Sequence, residues 1–468
     1  MFGKLLTKIT NLGEDYFKRI IKVVIILYFV LTLLPYIFSP IPFLTSIFTN
    51  TFVNLILRGV SFLLLVIVSF FTVVRKKPHI PLFYLCCSAL LIIFCFLSIF
   101  FTKTTFHEVY DNLPYLYKTE LTYKVGTISL ISGFVSNVID LAAGFIFLFI
   151  FPLVLKKEDI ILLLKIVFFF TVAECLFSLI FEYRKYIDTI FGNDNYNGYG
   201  IDIRASFVSK NDFGAFLIIG FVSSLFLLFY TAEKQKIIYL IGTILISLIS
   251  VLSLCKTAII AIFVSLIILT IFYIRKLIVN RSYKKITVIC STVLIVILAL
   301  VIILSLKSDI KLISKFKDFI QNRFFGALSK AFSDRINTWI PSLKIMHGHT
   351  YFIGYPKGSL YYAITISSNG AYHYPHNGFI QQFLCFGFLG VVLLLYSYSI
   401  ICKRISKVRH NSWIYKMLII VFLVSIVFMT TETEIVIMSS SALVYVFNII
   451  LSCNYKEEES NEIYNIEI

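Results

Sequence analysis

The chain has 468 residues, of which 59% are hydrophobic and only 14% charged. Its mean hydropathy of +0.90 lies far outside the usual range of soluble proteins. These values exclude a soluble globular fold and predict an all-α membrane protein. The formal charge of +17 does not indicate nucleic-acid binding, because Lys and Arg fall in short clusters between apolar segments rather than along one face.

Apolar stretches of about 20 residues recur along the chain, and each is long enough to cross the roughly 30 Å hydrocarbon layer as a helix. About twelve transmembrane helices are predicted. In chain order they cover residues 20–38, 55–74, 80–101, 128–155, 160–181, 213–230, 237–254, 258–274, 286–304, 378–401, 414–429 and 435–451.

The connections between these spans alternate in charge. Every second one is short and basic, as in Arg75-Lys76-Lys77 and Lys403-Arg404. Because Lys and Arg favour short cytoplasmic loops, we expect both termini in the cytoplasm and residues 182–212 and 305–377 on the outer side. The organisation that follows has N-terminal spans in 1–203, a core in 204–401 and C-terminal spans with a cytoplasmic tail in 402–468.

The long extracytoplasmic loop 305–377 falls between the ninth and tenth predicted helices. It is too rich in Phe, Ile and Trp for a disordered segment. Within 311–346, apolar residues recur at helical spacing among Lys and Arg. This pattern predicts amphipathic helices that lie on the outer surface of the membrane.

The strongest local motif closes that loop. His376-Asn377 is followed by nine residues, then Gly387, two residues and Gly390. This arrangement resembles the signature of the O-antigen ligase and O-antigen polymerase family, bacterial polytopic membrane glycosyltransferases. The resemblance covers about residues 204–390.

Further landmarks are similar to this family in their order along the chain. They are Arg204 ahead of Asn211 and Gly214, Lys256 at the start of a span, and Arg335 ahead of Trp339 and Gly354. Cys255 stands where the family usually has Ser before the basic residue.

The resemblance implies transfer of sugar from an undecaprenyl-pyrophosphate carrier to an acceptor hydroxyl. Arg204, Arg335 and Lys256 are then candidates to bind phosphate, because the planar Arg fork fits phosphate oxygens and stays charged. His376 is the candidate general base. Asn377 and Asn211 are expected to bind or orient substrate. No cofactor and no metal site are expected.

The resemblance implies a function in O-antigen or capsule biosynthesis at the bacterial inner membrane, with the active site facing the periplasm or exterior. The partners would be a lipid-linked oligosaccharide, a glycan or lipid-anchored acceptor and membrane lipids. A repeat-unit polymerase is slightly preferred over a ligase that attaches polymer to lipid A core. A lipid-linked oligosaccharide flippase or secondary transporter is the alternative of another class, which the absence of a visible internal repeat disfavours.

Two carboxylates, Asp140 and Glu174, fall inside predicted spans. Because an intramembrane carboxylate is costly, it marks either a functional site or a structural pair. The sequence leaves both interpretations open, including a pairing between these two residues.

Overall fold

The computed structural model describes residues 14–38, 51–110, 127–191, 203–207, 210–231, 233–280, 326–368, 374–409, 412–432, 436–439, 441–453 and 455. Regular structure in these ranges is helical. The helices are α1 (Glu14–Phe38), α2 (Thr51–Lys76), α3 (Leu82–Tyr110), α4 (Thr127–Phe145), α5 (Lys157–Phe181), α6 (Tyr183–Phe191), α7 (Lys210–Tyr230), α8 (Glu233–Leu252), α9 (Lys256–Val279), α10 (Gly326–Lys344), α11 (Thr350–Ile353), α12 (Lys357–Ser367), α13 (Gly378–Ile405), α14 (Trp413–Thr431) and α15 (Ala442–Ser452).

Eight helical segments in the described ranges are long and apolar enough to cross a membrane: those of α3, α4, α5, α7, α8, α9, α13 and α14. The chain is therefore an all-helical, multi-pass membrane protein, as predicted. Helices α1 and α2 cover the first two predicted spans, whereas the predicted span 286–304 lies outside the described residues.

The segment predicted as a long outer loop contains helices where it is described. Helix α10 falls in the range predicted to be amphipathic, and α11 and α12 follow it. Helix α10 packs against α9, α12 and α13. It therefore packs on the helical bundle, and its position at the outer membrane surface stays a prediction.

Helix α4 does not end at Phe145 but continues through a π-helical turn, Ile146–Ile150, and a last turn, Phe151–Val154. Pro152 has no N–H and cannot donate to the carbonyl of Leu148 four residues earlier. The guanidinium of Arg404, near the end of α13, donates to that carbonyl and, at 3.0 Å, to the carbonyl of Ser452. One half-buried cation thus joins three helical segments.

The last predicted span, 435–451, is wrong in its first part. Helix α15 begins only at Ala442, and residues 436–439 form a buried turn. Ile437 adopts φ +76°, and its N–H donates to Oδ1 of Asn448 at 2.6 Å. Hydropathy alone cannot distinguish such a turn from a helix, since both are buried and apolar. The side-chain amide of the buried Asn448 accepts the hydrogen bond that the Ile437 N–H would otherwise lack.

The two intramembrane carboxylates have different partners, so the interpretation that they pair with each other is wrong. Asp140 forms an ion pair with Lys357 of α12 at 2.8 Å. Glu174 accepts hydrogen bonds from the hydroxyl of Ser206 at 2.7 Å and from its backbone N–H at 3.2 Å. Both carboxylates therefore attach a connecting segment to a membrane helix.

Candidate active site

The predicted site residues lie on segments that meet at one end of the helical bundle. This end contains the beginnings of α7, α9 and α13 and the end of α14. The contacts of Glu432 with Thr257 and with Arg335 join the beginning of α9, the end of α14 and helix α10. The opposite end carries basic residues such as Arg275, Lys403 and Arg404.

Glu432 connects Arg335 with Thr257, the residue that follows Lys256. Its Oε1 lies 3.7 Å from Nη2 of Arg335 and accepts a hydrogen bond from the hydroxyl of Thr257 at 3.1 Å. The Arg335 side chain remains 21% exposed. A guanidinium with five donors can keep this carboxylate contact and still present N–H groups to an anionic ligand.

His376 is positioned by backbone strain and by a contact with α10. It adopts a left-handed conformation, with φ +44°, which is uncommon outside glycine. The hydroxyl of Thr338 in α10 donates to the carbonyl of the preceding Pro375 at 3.1 Å. Residues 374–377 are thereby attached to the helix that carries Arg335.

The imidazole of His376 is neutral at physiological pH. Burial and the positive charge of Arg335 lower the pKa of His376 from 6.5 to about 4. In the described part of the chain, its buried Nδ1 has no hydrogen-bond partner. A neutral imidazole has one nitrogen that can accept a proton, and the charge of Arg335 lies close enough to lower its basicity.

Asn377 has a structural function that the sequence interpretation did not include. Its side-chain Oδ1 accepts a hydrogen bond from the N–H of Ile380 at 3.0 Å and caps the N-terminus of α13. Asn is among the preferred residues at this position because it satisfies one of the unpaired N–H groups of the first turn. The Asn of the motif thus fixes the beginning of α13 directly after His376.

Lys256 and Cys255 lie at the beginning of α9. Lys256 is half-buried, and Cys255, at the N-cap position, is buried and makes no side-chain cap. A Cβ at Gly214 would lie 1.8 Å from the Cys255 sulfur, so α7 needs glycine there to pack against the thiol. Burial raises the pKa of the Cys255 thiol, which disfavours a nucleophilic thiolate.

The charges of Lys210, Arg335 and Glu432 all act on the Cys255 thiol. The first turn of α7, which carries Lys210 and the exposed Asn211, is therefore close to the Arg335 and Glu432 contact. Of the predicted residues, the structure thus brings Arg335 and His376 together and places Lys256 and Asn211 beside their neighbourhood.

The segment that carries Arg204 is anchored by its own apolar neighbours. The side chain of Arg204 is exposed, whereas Ile203 and Phe207 on either side are fully buried. The ring of Phe207 packs against those of Phe213 and Phe216 in α7, with centroid distances of 5.9 and 5.2 Å. The segment is anchored on α7, and the convergence of Arg204 with Arg335 remains a prediction.

Sequence reasoning missed Glu432 and Thr257. Glu432 falls in the short acidic connection Thr-Glu-Thr-Glu between two predicted spans, and an acidic residue at the outer end of a span was the available signal. Thr257 directly follows the predicted Lys256. Neither could be assigned from the sequence, because their contact joins positions 175 residues apart.

The fold and this cluster define a helical membrane protein with a basic, histidine-containing site at one end of its bundle. Residues 241–395 match the protein-family model described as O-antigen ligase. This match confirms the family predicted from the motifs and includes Lys256, Arg335 and His376, whereas Arg204 precedes it. No curated protein gives a significant match to the chain.

The segment 241–395 is therefore similar to the O-antigen ligase family, and together with the long apolar helices this similarity supports a membrane enzyme of surface polysaccharide biosynthesis. Activity of this family is of the glycosyltransferase type, and its substrates are lipid-linked glycans.

Proposed function

We propose that the protein transfers or polymerises undecaprenyl-pyrophosphate-linked oligosaccharide on the outer side of the bacterial inner membrane. The acceptor hydroxyl oxygen bonds to the anomeric carbon of the donor, and the bond from that carbon to the pyrophosphate oxygen breaks. The electron pair leaves with undecaprenyl pyrophosphate, and the hydroxyl proton passes to a base. The reaction therefore needs cations at the leaving group and a base at the acceptor.

The observation that carries this proposal is the proximity of Arg335 to a half-buried, neutral His376 inside the segment that matches the family model. Arg335 provides a fixed guanidinium for the pyrophosphate, where negative charge accumulates as the bond breaks. Lys256 and Arg204 provide further positive charge, and Asn211 contributes an exposed amide for the sugar or phosphate. The contact with Glu432 keeps Arg335 in place before the donor binds.

His376 is the proposed base, although a pKa of about 4 makes it weaker than the ordinary imidazole that the sequence suggested. The optimum for a general base is a pKa near the working pH. A pyrophosphate bound to Arg335 offsets the positive charge that lowers the histidine pKa. Donor binding therefore raises the basicity of His376 at the stage when an acceptor proton has to be removed.

Within this reaction we retain the slight preference for a repeat-unit polymerase over a ligase to lipid A core. The two activities share the donor and the cations and differ only in the acceptor. Glycan profiling of a deletion strain distinguishes them. Single repeats attached to core would identify a polymerase, whereas undecorated core with accumulated lipid-linked polymer would identify a ligase.

The chemical proposal is tested with purified full-length protein in lipid nanodiscs, a defined undecaprenyl-pyrophosphate oligosaccharide and an acceptor. Release of undecaprenyl pyrophosphate and the size of the glycan product are measured. We expect His376→Ala to lower the rate by 10²-fold or more, the usual contribution of general base catalysis being about 10²–10⁴, while donor binding persists.

The matched control is His349→Ala, since His349 is an exposed histidine of the same polypeptide segment outside the proposed site. His373, the nearest histidine in sequence to His376, lies outside the described residues and serves as a second control. A fully active His376→Ala enzyme would contradict the proposed base. Movement of intact lipid-linked donor across vesicles without product formation would indicate a transporter.

A further inference from the structure

Three polar residues of α5 and its end lie on one helical face beneath the Arg204 segment. Glu174, Ser178 and Glu182 are spaced by four residues, which places them one above another along a helix. The hydroxyl of Ser178 donates to Oε2 of Glu182 at 2.8 Å. We refer to Glu174, Ser178 and Glu182 as the carboxylate ladder.

The ladder binds three successive backbone N–H groups of the Arg204 segment. The N–H groups of Arg204 and Ala205 donate to Glu182, at 3.4 and 2.8 Å. The N–H and hydroxyl of Ser206 donate to Glu174, at 3.2 and 2.7 Å. Each of these three backbone N–H groups thus donates to a carboxylate.

The backbone conformation explains this convergence. Ala205 adopts a left-handed conformation with φ +51°, and the N–H of Phe207 donates to the carbonyl of Arg204 at 2.9 Å. Successive N–H groups that alternate between right- and left-handed conformations form a concave anion-binding nest. In this protein the anions in the nest are its own buried carboxylates, so the nest is not available for a ligand phosphate.

The consequence for Arg204 is geometric. The backbone N–H of Arg204 donates to Glu182, while the side chain of Arg204 is exposed. Glu182 also pairs with Lys185 of α6 at 2.6 Å, so its negative charge is directed to the nest and to Lys185. The exposed guanidinium of Arg204 is the group that the proposed function assigns to the donor pyrophosphate.

We infer that Glu182 and Glu174 are positioning residues, which orient Arg204 toward the pyrophosphate by holding its backbone from α5. This inference rests on the proposed function, since it requires Arg204 to bind the donor. A glutamine at position 182 keeps the shape of the side chain but replaces one acceptor oxygen with an NH2 donor. That group repels one of the two N–H groups that the carboxylate binds.

The test compares Glu182→Gln, Arg204→Ala and the double variant, each as full-length protein in nanodiscs with the lipid-linked donor. We expect Glu182→Gln to raise KM for the donor about tenfold, the loss expected for one charge-assisted hydrogen bond. Because Arg204 contacts the pyrophosphate before and during bond cleavage, kcat should change little. In the Arg204→Ala background, Glu182→Gln should change KM by less than about twofold.

Matched variants separate positioning from folding. Glu158→Gln removes an exposed carboxylate at the other end of α5 and should leave KM unchanged. If Glu182→Gln is not monodisperse, Ser206→Ala provides the same comparison, because it removes one Glu174 contact and keeps the backbone N–H. We expect it too to raise the donor KM only when Arg204 is present.

A donor KM that is unchanged in Glu182→Gln but raised in Arg204→Ala would overturn the inference and leave the proposed donor site intact. Equal effects of Glu182→Gln with and without Arg204 would also overturn it, because Glu182 would then act independently of that residue. An unchanged KM in Arg204→Ala would instead contradict the proposed role of Arg204 in donor binding and the inference with it.

Discussion

The backbone N–H of Tyr355 donates a hydrogen bond to the carbonyl of Leu384 at 2.8 Å, which joins the segment before α12 to the middle of α13. This carbonyl is available because α13 is interrupted at Gly387, whose φ is +60°. Asn137 of α4 donates to the carbonyls of Tyr355 and Cys385, at 3.3 and 3.4 Å, and so reinforces the connection.

This relationship predicts that Gly387→Ala destabilises the protein. A Cβ at Gly387 would lie 2.5 Å from the carbonyl oxygens of Tyr351 and Phe352, and a left-handed residue other than glycine costs about 1–3 kcal/mol by itself. We expect a lower midpoint of thermal unfolding and loss of monodisperse protein in detergent. Gly59→Ala is the control, because nothing lies within 4 Å of its Cβ; equal stability of the two variants would contradict the prediction.

The first glycine of the family motif therefore has a structural explanation that its sequence spacing could not provide. The motif identified where the functional histidine lies, since His376 and Arg335 are close in the structure. It gave no indication that Gly387 interrupts a helix, because hydropathy is continuous through 378–401. The close approach to Tyr351 involves residues far apart in sequence, and it becomes visible only in the folded chain.

Most long apolar helices could be predicted from the sequence, since spanning length and hydropathy depend on local composition. The buried turn at 436–439 could not, because its backbone is satisfied by Asn448, a tertiary contact. The same limit applies to the site. Arg335 and His376 were identified by motif, whereas Glu432 acquires its importance only through contacts with residues on two other helices.

The orientation of the bundle is predicted from loop charge, and chemical labelling tests it. Single cysteines at Asn211 and at Tyr374, both exposed positions, are introduced into a cysteine-depleted protein in intact cells. We expect a membrane-impermeant maleimide to label both, because Asn211 lies in the first turn of α7 and Tyr374 precedes α13, both at the predicted outer end. A cysteine at Lys407 should react only after the membrane is permeabilised; the opposite pattern would show an inverted topology.

Replacement of Arg335 by Lys should lower kcat/KM for the lipid-linked donor about tenfold or more. Lysine keeps the charge but lacks the planar fork that can contact Glu432 and a phosphate oxygen simultaneously. The measurement is steady-state release of undecaprenyl pyrophosphate. Arg184→Lys makes the same chemical change at an exposed position of α6 and should retain activity. Full activity of Arg335→Lys at normal expression would exclude the phosphate-binding role.

The pH dependence of transfer should differ between kcat and kcat/KM. In the free enzyme, burial and Arg335 hold the pKa of His376 at about 4, so the basic form is complete at neutral pH and is lost only in acid. In the donor complex, the pyrophosphate offsets the Arg335 charge and raises this pKa. Because kcat reports the complex and kcat/KM the free enzyme, kcat should begin to fall at a higher pH than kcat/KM on acidification. The donor KM must then decrease on acidification. A higher pKa of His376 in the donor complex means that the enzyme with protonated His376 binds the donor more tightly.

His349→Ala should show the same separation of the two profiles. Coincident acidic limbs of kcat and kcat/KM would indicate that the donor charge does not reach His376, and the proposed coupling between Arg335 and the base would be wrong.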